Sequence, residues 1–300
     1  MTIDESSPSL GAGSLGEVKR ATWTNNGLKI AVKRLFFMAT DEAALRAMGG
    51  ALSTSQRQQV LRDFIKECSV NSSLRYPNIV MFLGVAVDRE SNNSPRFLMM
   101  ELMDRSLHDE IFPGGEVPRQ GAPMSLDRVV SILLDVSRAL AYLHSRDPPV
   151  LHLDLKPRNV LIDRSGTAKI GDLGEAHVIQ STQRATQRVF GIGTPVYMAP
   201  EMTIEGLAKG AAADMFSLGV MACEMSSGRP PNPSSQIQFV QGSLRVVPER
   251  ERRASDLAGM RHEELRELVD QLVMDEAERR WNAMRVQSFL QAIVDGGGQV

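Results

Sequence analysis

His152-Leu-Asp-Leu-Lys-Pro-Arg-Asn159, followed by Gly171-Asp172-Leu-Gly174, puts two carboxylates, an ammonium and an amide on one short run of chain. Asp154 could accept a proton from an attacking hydroxyl. Lys156 could neutralise a phosphate oxygen, and Asn159 with Asp172 could hold a divalent metal. That set suits phosphoryl transfer, in which a protein mainly positions groups and neutralises charge. Upstream, Gly11-Ala12-Gly13-Ser-Leu-Gly16-Glu-Val18 offers a loop able to cover phosphates, and Ala31-Val32-Lys33 a lysine in an apolar strand.

Each piece has a plainer reading. Gly-x-Gly-x-x-Gly also opens dinucleotide-binding folds, but there a helix follows at once, with an acidic residue about 20 positions on. Here Glu17-Val18-Lys19 resumes a strand, and no acidic residue stands at that distance. Asp154, Asn159 and Asp172 could each be turn formers. The lysine between the first two, and the apolar Val160-Leu161-Ile162 and Ala168-Lys-Ile runs beside them, weigh against that. Hard oxygen donors suit magnesium, and no cysteine or histidine cluster suggests a softer metal.

At 300 residues the chain can bury a substantial core, and its net charge of -2 gives no support for a nucleic-acid or anionic-membrane surface. Cys68 and Cys223 lie far apart in apolar helical patterns, so two buried, reduced thiols are expected. Neither a signal peptide nor a run of about 20 apolar residues is visible, which points to a soluble, cytoplasmic protein.

The elements that must position these groups differ between the halves. Strand, Gly-rich turn and strand open the chain, though the segment before Gly11 is short, polar and broken by Pro8. Residues 36–54 read as an insertion, with a helical piece at Ala43 to Met48. A helix is expected from Ser55, capped with Gln58, with Val60, Leu61, Phe64, Ile65 and Cys68 as its apolar face and Glu67 beside that face. Strands follow at 79–87 and 97–101, then a hinge at Leu102 to Ser106. The second half is helical: from Ser125, through Asp214 to Met225, at 265–274 and at 286–293. The arginine-rich 245–253 reads as a solvated loop with a helix start.

The ordered set, closed by Gly193-Thr194-Pro195-Val-Tyr-Met-Ala-Pro-Glu201, resembles the eukaryotic-type protein kinases from about Leu10 to about Phe289. The resemblance implies an α+β, two-lobed kinase fold: a small antiparallel β-sheet lobe with one long helix (1–102), then a larger, mostly helical lobe (103–300). It implies ATP with Mg2+, or Mn2+ in its place. By resemblance Asp154 is the catalytic base, with Lys156, Asn159, Lys33 and Glu67 completing the catalytic group. Asn159 and Asp172 are the metal ligands. Gly11, Ala12, Gly13, Gly16, Val18, Ala31, Lys33, Met100, Glu101, Met103, Leu161 and Asp172 contact the nucleotide. His152 takes a packing and backbone-bonding role, Glu201 pairs with Arg279, and Asp214 holds the catalytic loop. Lys156 and Thr194 resemble serine/threonine kinases, and Asn78-Ile-Val-Met-Phe-Leu-Gly84 the tyrosine-kinase-like group among them. Protein substrates follow from this, with autophosphorylation at Ser181, Thr182 or Thr186.

Several positions depart from the pattern. Leu153 stands where many kinases carry an arginine that receives an activation-loop phosphate, and Leu173 where phenylalanine is usual. Asn71 falls one helical turn beyond Glu67, in a normally apolar column. A buried amide there without partners would cost on the order of 1–3 kcal/mol. Asn71 and the weak first strand favour a rival reading, a pseudokinase acting as a scaffold. Retention of Lys33, Glu67, Asp154, Asn159 and Asp172 opposes it. A small-molecule kinase is a third reading, opposed by Ala199-Pro-Glu201.

Overall fold

The computed structural model describes residues 1–12, 16–35, 54–88, 94–114, 122–175, 177–178, 195–203, 210–231, 237–240, 243–246 and 259–296. The inserted stretch with its helical piece, Gly13, Ser181, Thr182, Thr186, Gly193 and Thr194 lie outside them. The chain divides into two compact units, Met1–Asp104 and Arg105–Val300.

The first unit is built on an antiparallel sheet. Strands β1 (Thr2–Ile3), β2 (Gly11–Ala12), β3 (Gly16–Trp23), β4 (Leu28–Leu35), β5 (Phe82–Asp88) and β6 (Ser94–Glu101) lie in the order β1-β3-β4-β6-β5, with β2 also on β3. The first strand is therefore two fragments of two residues each. Between them Asp4 accepts bonds from the backbone and hydroxyls of Ser6 and Ser7, and the chain loops out of the ladder.

Period-two alternation divides β4 between the faces of the sheet. Ile30 and Val32 pack with Ala21 and Met99 on one face. Ala31 and Lys33, paired with Met100 and Leu98, take the other. There Leu98 meets Phe64 of helix α1 (Thr54–Ser73), with Cys68, Phe82 and Met100 around them. The helix starts one residue before the expected Ser55, and its buried stripe is Val60, Phe64, Glu67 and Val70. Ile65, expected inside, is 52% exposed, and Cys68 is only half-buried. The helix is turned so that the carboxylate of Glu67 is buried, because Lys33 lies opposite to neutralise it.

The second unit is mostly helical. Helix α2 (Leu107–Ile111) carries a capping box in which Ser106 and Asp109 satisfy each other's backbone N–H groups. Helix α3 (Leu126–His144) is capped by Ser125, and Val129, Ile132, Leu133, Val136, Leu140 and Leu143 are all fully buried, as their spacing requires. Helix α4 (Ala211–Ser227) is buried throughout from Ala213 and ends at Gly228, whose φ of 65° favours glycine. Within it, a Cβ on Gly219 would lie 2.8 Å from Leu272 Cβ of helix α5 (Arg266–Leu272). The absent side chain is what lets the two helices close. Helix α6 (Ala283–Gly296) packs on α3.

Short strands carry the chemistry-bearing loops. β7 (Arg105–Ser106), β9 (Val160–Ile162) and β10 (Ala168–Ile170) form one sheet, and β8 (Val150–Leu151) pairs with β11 (His177–Val178). Strands β12 (Ile237–Val240) and β13 (Ser243–Val246) form a hairpin. Arg245, expected in a loop, is therefore a strand residue opposite Gln238. Alternation of Leu244 and Val246 with polar neighbours over so few residues was too short a signal.

Candidate active site

In the first unit, the facing of β4 and α1 brings Lys33 Nζ to 2.7 Å from Glu67 Oε1. Both side chains are largely withdrawn from water. Asn71 Nδ2 donates to Glu67 O at 2.8 Å, one turn back along the helix. Its amide is satisfied locally, so the penalty for an unpaired buried amide does not arise. Register places Val18 beside Lys33, Gly11 beside Val18 and Ala31 beside Met100. Glu101 is fastened twice: its N–H donates to Met81 O at 3.0 Å, and its carboxylate accepts Met81 N–H at 2.7 Å. Met103 is buried two residues on. Cys68, beside Glu67, has its thiol pushed up to about 11, by burial first and then by the adjoining carboxylate.

In the second unit, the loop after β8 is held from below. Asp214, fully buried in α4, accepts N–H bonds from His152 at 3.0 Å and Leu153 at 2.8 Å, and meets His144 Nε2 at 2.8 Å. Burial works to raise its carboxyl, but the bond to His144 and the nearby imidazoles hold it below the usual aspartate value. Leu153 takes φ 62°, in the left-handed region. His152 then spans the loop: Nε2 lies 3.0 Å from Gly171 O, and Nδ1 accepts Asp154 N–H at 3.3 Å. The ring thus ties the residue before Asp172 to Asp154, the packing and backbone-bonding role expected of it.

Above this frame Asp154 Oδ2 receives Lys156 Nζ at 2.6 Å and Asn159 Nδ2 at 2.9 Å. The same amide nitrogen donates to Asp154 O at 2.8 Å, and Gly171 N–H donates to Asn159 O at 2.8 Å. Asp172 follows, exposed and at φ 52°. Leu161 is half-buried in β9, two residues after Asn159. The amide nitrogen of Asn159 is committed to Asp154, so Oδ1 is the atom it can offer to a cation. That oxygen and the Asp172 carboxylate are hard donors of the kind magnesium takes. Among the described residues no cluster of three or more His, Cys, Asp or Glu forms a metal cage. Magnesium needs none, since it keeps waters and is bound through one or two carboxylates together with substrate phosphates.

Two expectations are corrected or extended. Arg280, and not Arg279, pairs with Glu201: Nη1 and Nη2 reach its two carboxylate oxygens at 2.6 and 2.8 Å. Arg280 also caps Met274 O at 2.7 Å and lies over the Phe216 ring, while Arg279 sits at the surface against Glu276. Adjacent arginines in a polar turn carry no periodic signal that tells them apart. His144, the third partner of Asp214, also went unrecognised; its position in the last turn of α3 was the available sign. Near Glu201, Tyr197 donates its hydroxyl to Glu224 at 2.7 Å. Burial pushes the Glu224 carboxyl up to about 7, against the opposing pull of Tyr197 and Arg158.

The protein kinase domain family model matches residues 5–289. Among similar proteins are the serine/threonine-protein kinase CTR1 of Arabidopsis thaliana, 33% identical over 239 residues, and the serine/threonine-protein kinase VIK of the same plant, 31% identical over 227. A probable serine/threonine-protein kinase of Dictyostelium discoideum is 31% identical over 222 residues. The aligned regions take up 77%, 74% and 74% of this chain, but 25%, 45% and 12% of those three proteins respectively. The chain thus spans less than half the length of these relatives. No described helix is long and apolar enough to cross a membrane. With a family match across nearly its whole length, and with this loop geometry behind it, the chain belongs to the protein kinase family.

Proposed function

We propose that this chain transfers the γ-phosphoryl group of Mg-ATP to serine or threonine hydroxyls of protein substrates. One observation carries the reading: the Asp154 carboxylate is aimed by Lys156 and Asn159, in a loop fastened by Asp214 and His152. In the proposed step Asp154 accepts the hydroxyl proton as the oxygen attacks phosphorus. Lys156 offsets negative charge developing on the transferred group, and ADP leaves. Lys33, held by Glu67, binds nucleotide phosphates. Glu101 and Met103 offer backbone groups to adenine, with Val18, Ala31, Met100 and Leu161 lining its ring. Gly11, Ala12, Gly13 and Gly16 cover the phosphates.

Magnesium, when bound, would neutralise charge on the nucleotide phosphates, and Asn159 and Asp172 are the residues that would hold it, with Mn2+ as its substitute. The naming of the relatives as serine/threonine kinases supports the choice of acceptor. Autophosphorylation at Ser181, Thr182 or Thr186, and a cytoplasmic setting, belong to the same reading.

The test incubates purified protein and its Asp154→Asn variant with Mg-ATP and a generic basic protein, and maps phosphosites by mass spectrometry. Phosphoserine or phosphothreonine from the wild type alone is expected. Silence from both, with folding intact, would favour the scaffold reading. The broken first strand is the observation on that side, while Asn71 no longer speaks for it.

A further inference from the structure

The short turn Pro157–Asn159 puts two neighbours to different uses. Asn159 turns in to Asp154, whereas Arg158 is exposed. The turn packs on α2, and Arg158 Nη2 lies 2.8 Å from Nε2 of His108, a ring only 6% exposed. Burial first, and then the guanidinium itself, hold His108 below its ordinary value. Its ring is therefore neutral, and Nε2 accepts the bond.

A neutral acceptor fixes an arginine without neutralising it. Among the described residues His108 is the one hydrogen-bond partner of the Arg158 side chain. Two acids stand nearby, and each is already engaged. Asp109, beside His108, accepts the N–H and the hydroxyl of Ser106. Glu224 is close enough to feel the guanidinium charge, but it is buried and accepts the Tyr197 hydroxyl. The loop that carries Asp154 thus presents to solvent a fixed positive charge with donors unspent. A guanidinium has five N–H groups in a planar fork that matches carboxylate and phosphate oxygens.

We propose that Arg158 is a specificity-determining residue, which binds an anionic side chain of the substrate close to the acceptor hydroxyl. The anion is a carboxylate or a phosphorylated residue. The proposal deepens the protein kinase reading above and rests on it. Arg158 stands four positions from Asp154, so their Cα atoms are at most about 14 Å apart, a span that an extended substrate covers in about four residues. An arginine that only braced α2 would, when lost, weaken every substrate alike. One that reads charge alters the ranking of substrates.

The experiment measures kcat/KM of wild type, Arg158→Gln and Arg158→Glu on serine peptides of neutral sequence. Each peptide carries one Asp, phosphoserine or Lys, placed in turn up to four positions either side of the acceptor. In wild type, Asp or phosphoserine at one position is expected to raise kcat/KM about tenfold over the neutral parent, the worth of one charge-assisted hydrogen bond. The two arms tell a carboxylate site from a phosphate site. Arg158→Gln should lose the preference, and Arg158→Glu should rank Lys above Asp at that position. Both variants should keep the neutral parent within about threefold of wild type, as an exposed substitution allows. No anionic preference in wild type, the same preference in Arg158→Glu, or an equal loss on all peptides in both variants overturns the inference. Any of these with activity on a generic basic protein leaves the kinase reading standing. A wild type that phosphorylates neither the peptides nor that protein brings down both together.

Discussion

Leu153 holds φ at 62° while its N–H donates to Asp214 Oδ1 at 2.8 Å. A leucine in the left-handed region costs on the order of 1–2 kcal/mol, and the buried carboxylate offsets that cost by taking two consecutive N–H groups. The conformation matters because Asp154 is the next residue, so the strained turn sets where its carboxylate begins. Asp214→Asn keeps the shape but puts an NH2 where one acceptor oxygen was. One buried donor then loses its partner, a penalty of about 1–3 kcal/mol. Chemical denaturation should show that loss, and kcat should fall further than ATP affinity. Wild-type stability and kcat in the variant would rule out this coupling.

The adjacent arginines offer a sharp comparison. Arg280 is buried across Glu201, while Arg279 is 67% exposed beside Glu276. Arg280→Met strands a half-buried carboxylate and should destabilise the chain by about 3–5 kcal/mol. Arg279→Met should stay within about 0.5 kcal/mol of wild type. Thermal melts of the two variants check this, and equal losses would mean the pairing is misassigned.

Glu224 makes stability depend on pH in a direction opposite to that of most carboxylates. Its folded value is raised to about 7 from 4.5 in solution, so between these values the folded chain binds more protons than the unfolded one. Stability from this group is therefore greatest below about pH 4.5, falls as pH rises, and is fully lost above about pH 7. The span corresponds to something on the order of 3 kcal/mol. Glu224→Gln can still accept the Tyr197 hydroxyl and should flatten that slope, gaining stability over wild type at pH 8. Unfolding curves from pH 5 to 8 test it; identical slopes in the two proteins would refute the buried-acid account.

Lys33 and Glu67 should separate stability from activity. Lys33→Met removes the ammonium from a carboxylate only 8% exposed and is expected to cost about 1–3 kcal/mol. Lys33→Met with Glu67→Gln removes the stranded charge and should recover most of that loss. Phosphotransferase activity should be abolished in both. A double variant no more stable than Lys33→Met would show that the pair's charge is not what matters there.

Much of the site was legible because its chemistry is local in sequence. Asp154, Lys156 and Asn159 share one loop, and the 2.6–2.9 Å contacts among them join residues no more than five positions apart. The face of α3 was equally readable, since a long amphipathic helix repeats its signal over several turns. Helix α1 was less so: the pattern put Ile65 inside and Glu67 beside the stripe, whereas the fold exposes Ile65 and buries Glu67. Hydrophobicity alone ranks isoleucine above glutamate for burial. Only the lysine on a strand more than thirty positions away reverses that order.

By itself the sequence determined which residue types stand at the spacings phosphoryl transfer needs, and the long helices whose apolar faces repeat over several turns, but not the short β12–β13 hairpin. Tertiary structure decided which distant charges meet: Arg280 and not Arg279 on Glu201, His144 on Asp214, Tyr197 on Glu224. It also decided that the polar break at residues 4–10 returns to the sheet and that Arg158 rests on His108. The physical reason is that burial changes what a charge or a hydroxyl is worth, and burial depends on how elements far apart in the chain pack together.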